Sequence, residues 1–297
     1  MIKITNLTKS YGKKKVLENL NCTIKTGSIY GLVGANGAGK STLLRIINDV
    51  FDKDSGTIEI DGNELIGDAS LKQKLVFVPD DLFFFSGYTL LDMALFYKDM
   101  YEKFDLEYVK ELAGILKLNL NEKINNFSKG MKRQCALICA IATNADYMFF
   151  DETFDGVDPV VRTLLKKIIV KQMEKKETTI IMTSHNLREL EDICDSYGLL
   201  DNMEISSSGY IQDKISTYHK YQVAFERHID KDLFDINFVN YLEEGRVIKF
   251  VCDLSIEDLK KKIESFNPLI IDEIPIDFEE LFIIEVESRG YLKWKII

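Results

Sequence analysis

The chain has 297 residues, 46% of them hydrophobic and 29% charged, which suits a protein that buries one or two cores without disulfide staples. Its formal net charge of −10 repels phosphate backbones on average, so no nucleic acid is expected as a partner. Five scattered cysteines (Cys22, Cys135, Cys139, Cys194 and Cys252) lack CxxC spacing and read as core thiols of a reduced compartment, and neither an apolar leader nor a run of about 18 apolar residues is present.

The predicted elements begin with the strand-like runs "MIKITNL" at 1–7 and "SIYGLVG" at 28–34, followed by a helix over 40–49. "KLVFVPD" at 74–80 gives another buried strand; directly after it Asp80 and Asp81 stand beside Phe83, Phe84 and Phe85. Helical patterns run from Leu90 to Met100 and from Leu106 to Leu116, and Ser128 is placed to cap a third. "YMFFDE" at 147–152 reads as a buried strand ending in two acids, Pro159 opens a helix, and "TTIIMTS" at 178–184 is a buried strand that leads to His185. Such alternation up to about residue 205 indicates an α/β core.

From "SSSGY" at 206–210 the texture changes, so two domains are expected, 1–205 and 206–297. The second holds strand-like "YQVAFERH" and "RVIKFVCD", then "SIEDLKKKIESF", whose Ile256, Leu259 and Ile263 share a helical face behind a Ser255 and Asp258 capping pattern. Its acidic cluster, Asp272, Glu273, Asp277, Glu279 and Glu280, reads as a solvated face. His219 and His228 are too isolated to predict a metal site.

The chemistry concentrates in "GLVGANGAGKSTLL", where Gly34, Gly39, Lys40 and Ser41 satisfy GxxxxGK[ST] between a strand and a helix. Glycines let backbone N–H groups turn inward around a phosphate, the helix adds its positive end, Lys40 adds a full charge and Ser41 is placed for magnesium. Gly34, Asn36, Gly37, Ala38, Gly39, Lys40, Ser41 and Thr42 are therefore the candidate phosphate contacts. A nucleotide also needs an acid for its metal, and Asp151 supplies it through coordinated water. Glu152 stands next to the metal without being spent on it, which suits a general base for water. "NFSKGMKRQ" adds a second anion site, because Ser128 caps a helix whose first N–H groups face outward. Two anion sites so far apart along one chain imply that two chains meet.

In this order the motifs resemble the ATP-binding subunits of ABC transporters over roughly residues 1–205. The resemblance implies an α/β phosphate-loop NTPase of ABC type: a mixed-sheet core, an antiparallel β subdomain, a helical subdomain at about 82–145 and a small α+β C-terminal domain. It implies ATP and Mg2+ as cofactors, and a head-to-tail dimer, homomeric or heteromeric, in which Ser128 and Gly130 of one copy close over the ATP held by the other. It further implies that Tyr11 stacks on adenine, that His185 contacts the terminal phosphate and joins Glu152 and Lys40 in catalysis, and that Asp158 communicates across the dimer. Asp80 falls where the family places a magnesium-touching glutamine, Lys129 and Met131 replace a commoner glycine and glutamine, and Thr153 replaces a frequent proline.

The implied function is ATP hydrolysis that drives a separate integral membrane permease, with this subunit cytoplasmic and peripheral on the inner face of the cell membrane. Relatives with a compact single unit and a C-terminal appendage point toward export. Phe83, Phe84 and Phe85 then either line a groove facing the permease or fill the helical subdomain's core. The alternatives are an ABC-type ATPase working on ribosomes or DNA, against which the acidic balance and single unit argue, and a phosphate-loop kinase or GTPase, which leaves "NFSKGMKRQ" and His185 unexplained.

Overall fold

The computed structural model describes residues 1–64, 69–184 and 187–282 and divides into two units, Met1–Ser208 and Gly209–Ile297. In the first unit β1 (Ile2–Tyr11) and β2 (Lys14–Ile24) form an antiparallel hairpin, followed by β3 (Ile29–Val33), every residue of which is buried. α1 (Lys40–Ile47) turns Leu43, Leu44, Ile46 and Ile47 into the core. β4 (Ser55–Ile60) and β5 (Asn63–Glu64) complete an antiparallel sheet of order β2-β1-β4-β5.

α2 (Ala69–Lys72) and β6 (Leu75–Val78) precede the three helices α3 (Leu90–Met100), α4 (Leu106–Ile115) and α5 (Lys129–Ala142). Each of these three starts at a side chain that satisfies an orphan amide. Thr89 and Asp92 form a reciprocal capping box on α3, Asp105 accepts from the Tyr108 N–H on α4, and Ser128 accepts from the Met131 N–H on α5. α5 is buried along nearly its whole length, including Cys135 and Cys139, and burial pushes the Cys139 thiol up to about 12.

The chain then runs through β7 (Tyr147–Asp151), α6 (Pro159–Lys176), β8 (Thr179–Thr183), α7 (Leu187–Glu191), β9 (Ser196–Asp201) and β10 (Glu204–Tyr210). The second sheet has the order β10-β9-β3-β8-β7-β6, and β9, β3, β8, β7 and β6 are parallel neighbours. Parallel strands covered on both faces need continuous apolar runs, and "IYGLV", "YMFFD" and "TIIMT" supply them. One consequence governs function: the C-terminal ends of β3, β7 and β8 lie along one edge of the sheet, where ligands of open parallel sheets bind.

The second unit contains α8 (Ile211–Ser216), β11 (His219–Ala224), β12 (Asn240–Glu244), β13 (Val247–Cys252), α9 (Ile256–Ile263) and β14 (Ile270–Ile274). Its sheet, β12-β13-β11-β14, is antiparallel, and Tyr221, Phe225, Phe234 and Phe250 pack with Leu259 and Ile263 of α9. Ser255 caps α9 by accepting from the Asp258 N–H at 3.2 Å. The acidic cluster is partnered as well as solvated: Glu273 meets His219 at 2.7 Å and Glu280 meets Lys220 at 2.7 Å. Among the described residues no helix is long and apolar enough to cross a membrane.

Candidate nucleotide site

The loop between β3 and α1 is shaped by its neighbours. A Cβ at Gly34 would lie 2.5 Å from the Leu200 carbonyl oxygen, and Gly39, at φ +111°, passes close enough to Leu17 and Val16 that a Cβ would meet them at 3.0 and 3.1 Å. Glycine is required at both. Gly39 is also the N-cap of α1 and has no side chain to offer, so the first-turn amides of Lys40, Ser41 and Thr42 are left for a ligand. Asn36 and Gly37 form the exposed rim of the loop, whereas Ala38, Ser41 and Thr42 are half-buried.

Lys40 is 5% exposed, and its ammonium donates to the loop's own carbonyls, Gly34 O at 2.7 Å and Ala35 O at 3.3 Å. Burial lowers its pKa, opposed by the charges of Glu152 and Asp151. The lysine and the two acids thus share one electrostatic environment, although they are more than a hundred positions apart in the chain. Lys40 is poised to exchange carbonyl oxygens for phosphate oxygens, which bind an ammonium more strongly.

Asp151 ends β7 fully buried. The Thr183 hydroxyl at the end of β8 donates to Asp151 Oδ1 at 2.7 Å and accepts from the Glu152 N–H at 2.9 Å. Asp151 Oδ2 is buried without a hydrogen-bond partner. An acceptor left this way is costly unless a cation or its bound water occupies it, and together with the Ser41 hydroxyl it offers the hard oxygen donors that magnesium prefers. Glu152 adopts φ +47°, a left-handed conformation uncommon for a side-chain-bearing residue. Its carbonyl accepts from the Asp155 N–H at 3.2 Å, which closes a tight turn.

Tyr11 stands 47% exposed at the end of β1, with the Phe51 ring edge-on at 6.2 Å and the Lys9 ammonium 5.5 Å from its ring. The half-exposed ring is thereby braced and remains accessible to a planar base. Ser128 holds its own helix, and Gly130 sits so tightly against the turn after β7 that a Cβ there would lie 2.7 Å from Gly156 O. Lys129 pairs with Asp155 at 2.6 Å. Asp158 caps α6 by accepting from the Val160 N–H at 2.9 Å.

Asp80, two residues beyond β6, is half-exposed, and its Oδ1 accepts from Arg133 Nη2 of α5 at 2.5 Å. Phe83 is 76% exposed and Phe85 36%, the two meeting edge to face at 5.4 Å, and a pocket of about 220 Å³ is bordered by Phe83, Phe84, Met93 and Tyr97. His185 lies outside the described residues. Ser184 before it donates to Glu189 at 2.8 Å; Glu189 also pairs with Arg162, whose other contact is Val157 O at 3.2 Å. Three contributors escape sequence reading: Thr183, Arg133 and Glu189. Only Thr183 carried a signal, a hydroxyl ending a buried apolar strand.

The "ABC transporter" family profile matches residues 17–155. The ABC transporter ATP-binding protein YtrB of Bacillus subtilis (strain 168) is 30% identical over 294 residues, covering 99% of this chain and 100% of that one. The linearmycin resistance ATP-binding protein LnrL of the same organism is 31% identical over 271 residues, covering 89% and 85%. Among solved structures, an ATP-binding subunit of an ABC transporter superposes with a TM-score of 0.65 at 27% identity, covering 72% of this chain and 91% of that one.

Proposed function

The chain belongs to the ATP-binding subunits of ABC transporters, a family of ATPases, and from that premise we propose that it hydrolyses ATP between two copies and so drives a separate membrane permease. The observation that carries this reading is that the loop bearing Lys40 and the strand end bearing Asp151 and Glu152 leave the same edge of the sheet, where Thr183 orders both acids. The glycine cradle and the first-turn amides of α1 bind the β- and γ-phosphates, and Tyr11 stacks on the base. Ser41, and Asp151 through coordinated water, would hold magnesium, which when bound would neutralise charge on the phosphates. Glu152 accepts the proton of the attacking water, and Lys40 stabilises charge that develops on the γ-phosphate. His185 is assigned to the terminal phosphate on the basis of its position after β8.

Ser128 and Gly130 supply the other half of the site from a partner copy, identical or related. The substitution Ser128→Asp tests this cleanly, because aspartate caps a helix as well as serine does yet sets a negative charge against the triphosphate. The variant is expected to melt like the wild type and to bind ATP as a monomer. It should fail to dimerise on ATP in size-exclusion chromatography, whereas dimerisation equal to the wild type would remove Ser128 from the interface.

The permease is assigned to the aromatic patch after Asp80. An exposed pair such as Phe83 and Phe85, with Phe83 bordering an apolar pocket, is uncommon on a surface that meets only water. Replacing both by Ser should leave the ATP affinity of the isolated subunit within about twofold and should reduce co-purification with permease by tenfold or more, on the scale of an interface anchor. Undiminished co-purification would move docking elsewhere. Export is the favoured direction: one relative is named for linearmycin resistance, and the compact single unit with an appended domain fits. The site of action is then the cytoplasmic face of the membrane.

A further inference from the structure

Arg133 sits just over one turn into α5 and is 2% exposed. Its Nη2 donates to Asp80 at 2.5 Å and lies 3.7 Å from Asp155 Oδ2, while Nε and Nη1 are buried with no hydrogen-bond partner. A guanidinium is always charged, and burying one with most of its donors unused is expensive; an apolar side chain of similar volume would usually be the more stable choice. The cost calls for a role beyond packing.

The two carboxylates around Arg133 belong to segments with different tasks. Asp155 stands in the turn that begins at Glu152, and its Oδ2, the oxygen nearest Arg133, already accepts from Lys129 Nζ at 2.6 Å. Asp80 lies where the chain leaves β6 for the aromatic patch at Phe83. A contraction of about 1 Å would bring Asp155 within full hydrogen-bond range of the same fork, whose spare donors are already desolvated. The guanidinium is thus fixed to one segment and stands just short of the other.

We infer that Arg133 is a positioning residue for hydrolysis: it ties the turn carrying Glu152 to the segment after β6, so that displacement of the aromatic patch changes turnover without changing ATP affinity. The inference rests on the reading of Glu152 as the general base. It assigns the Asp80 carboxylate to Arg133 rather than to magnesium.

The test compares Arg133→Met, Asp80→Asn, the double variant and Arg133→Lys in the full chain. The readouts are kcat, KM, ATP binding and the magnesium concentration at half-maximal rate. Arg133→Met and Asp80→Asn should each lower kcat about five- to twentyfold, with KM and ATP affinity within about twofold and the magnesium requirement unchanged. The double variant should be no slower than Arg133→Met alone, because Asp80→Asn discharges, and Arg133→Met removes, the same link, and Arg133→Lys should recover part of the rate. Asp80 is half-exposed, so Asp80→Asn carries the test should Arg133→Met fail to fold. A normal kcat in Asp80→Asn, multiplicative effects in the double variant, or a tenfold higher magnesium requirement would overturn the inference. Glu152→Gln serves as the control: normal turnover there defeats the reading of the hydrolytic turn itself, whereas a stalled Glu152→Gln beside an active Asp80→Asn defeats only the coupling.

Discussion

Glu152→Gln is expected to bind ATP as tightly as the wild type and to hydrolyse it about a hundred- to ten-thousandfold more slowly, the range over which general bases contribute. Glutamine keeps the shape of the side chain and the backbone N–H that donates to Thr183, so the left-handed turn at this position has no cause to rearrange. What disappears is the capacity to take a proton from water. Single-turnover hydrolysis measured beside equilibrium nucleotide binding separates the two properties, and ATP-bound dimers should accumulate because the step that reopens them is blocked. Turnover within about threefold of the wild type would mean that another group accepts the proton.

The second large effect concerns Lys40→Met. Losing charge-assisted hydrogen bonds to phosphate costs about 1.5–3 kcal/mol, or roughly ten- to a hundredfold in ATP affinity, with a further loss in kcat where the lysine faces charge that grows in the transition state. Stability without nucleotide should move the other way. A lysine whose pKa is lowered by burial resists its charged form in the folded state. Its charge therefore weakens the fold at every pH below the lowered pKa, and that penalty fades as pH rises toward the ordinary lysine range. Lys40→Met should accordingly melt no lower than the wild type at neutral pH and should gain little from added ATP, while ATP raises the melting temperature of the wild type by mass action. A variant that melts markedly lower without nucleotide would show that the lysine serves the fold and not the ligand.

The phosphate loop, the acid pair and the capped helix at Ser128 were legible in the sequence because each is a contiguous stretch whose backbone conformation depends on its own residue types. The parallel strands β3, β7 and β8 were legible for a related reason, since burial on both faces leaves no room for polar interruptions. β2 and β12 were not: "KKVLENLNCTI" and "NYLEE" expose much of their length and carry charges there. Their place in a sheet is decided by the neighbours they pair with, which local propensity does not encode. Arg133 was illegible for the opposite reason. Its partners, Asp80 and Asp155, lie on either side of it at distances no spacing rule spans, and a basic residue in a capped helix otherwise reads as solvated.

The Thr183 hydroxyl bears on how this site can vary. Asp151 and Thr183 sit opposite one another in the parallel ladder, and a single oxygen atom both occupies one side of the acid and fixes the peptide of the next residue. Sliding β8 by one position would swing that oxygen to the far face of the sheet and put Met182 or Ser184 in its place beside Asp151. The short link between α6 and β8 is therefore intolerant of an inserted or deleted residue, even though it lies at the opposite end of the strand from the chemistry. Drift in length has to be absorbed elsewhere, in segments that enter the sheet without setting the phase of β8 against β7.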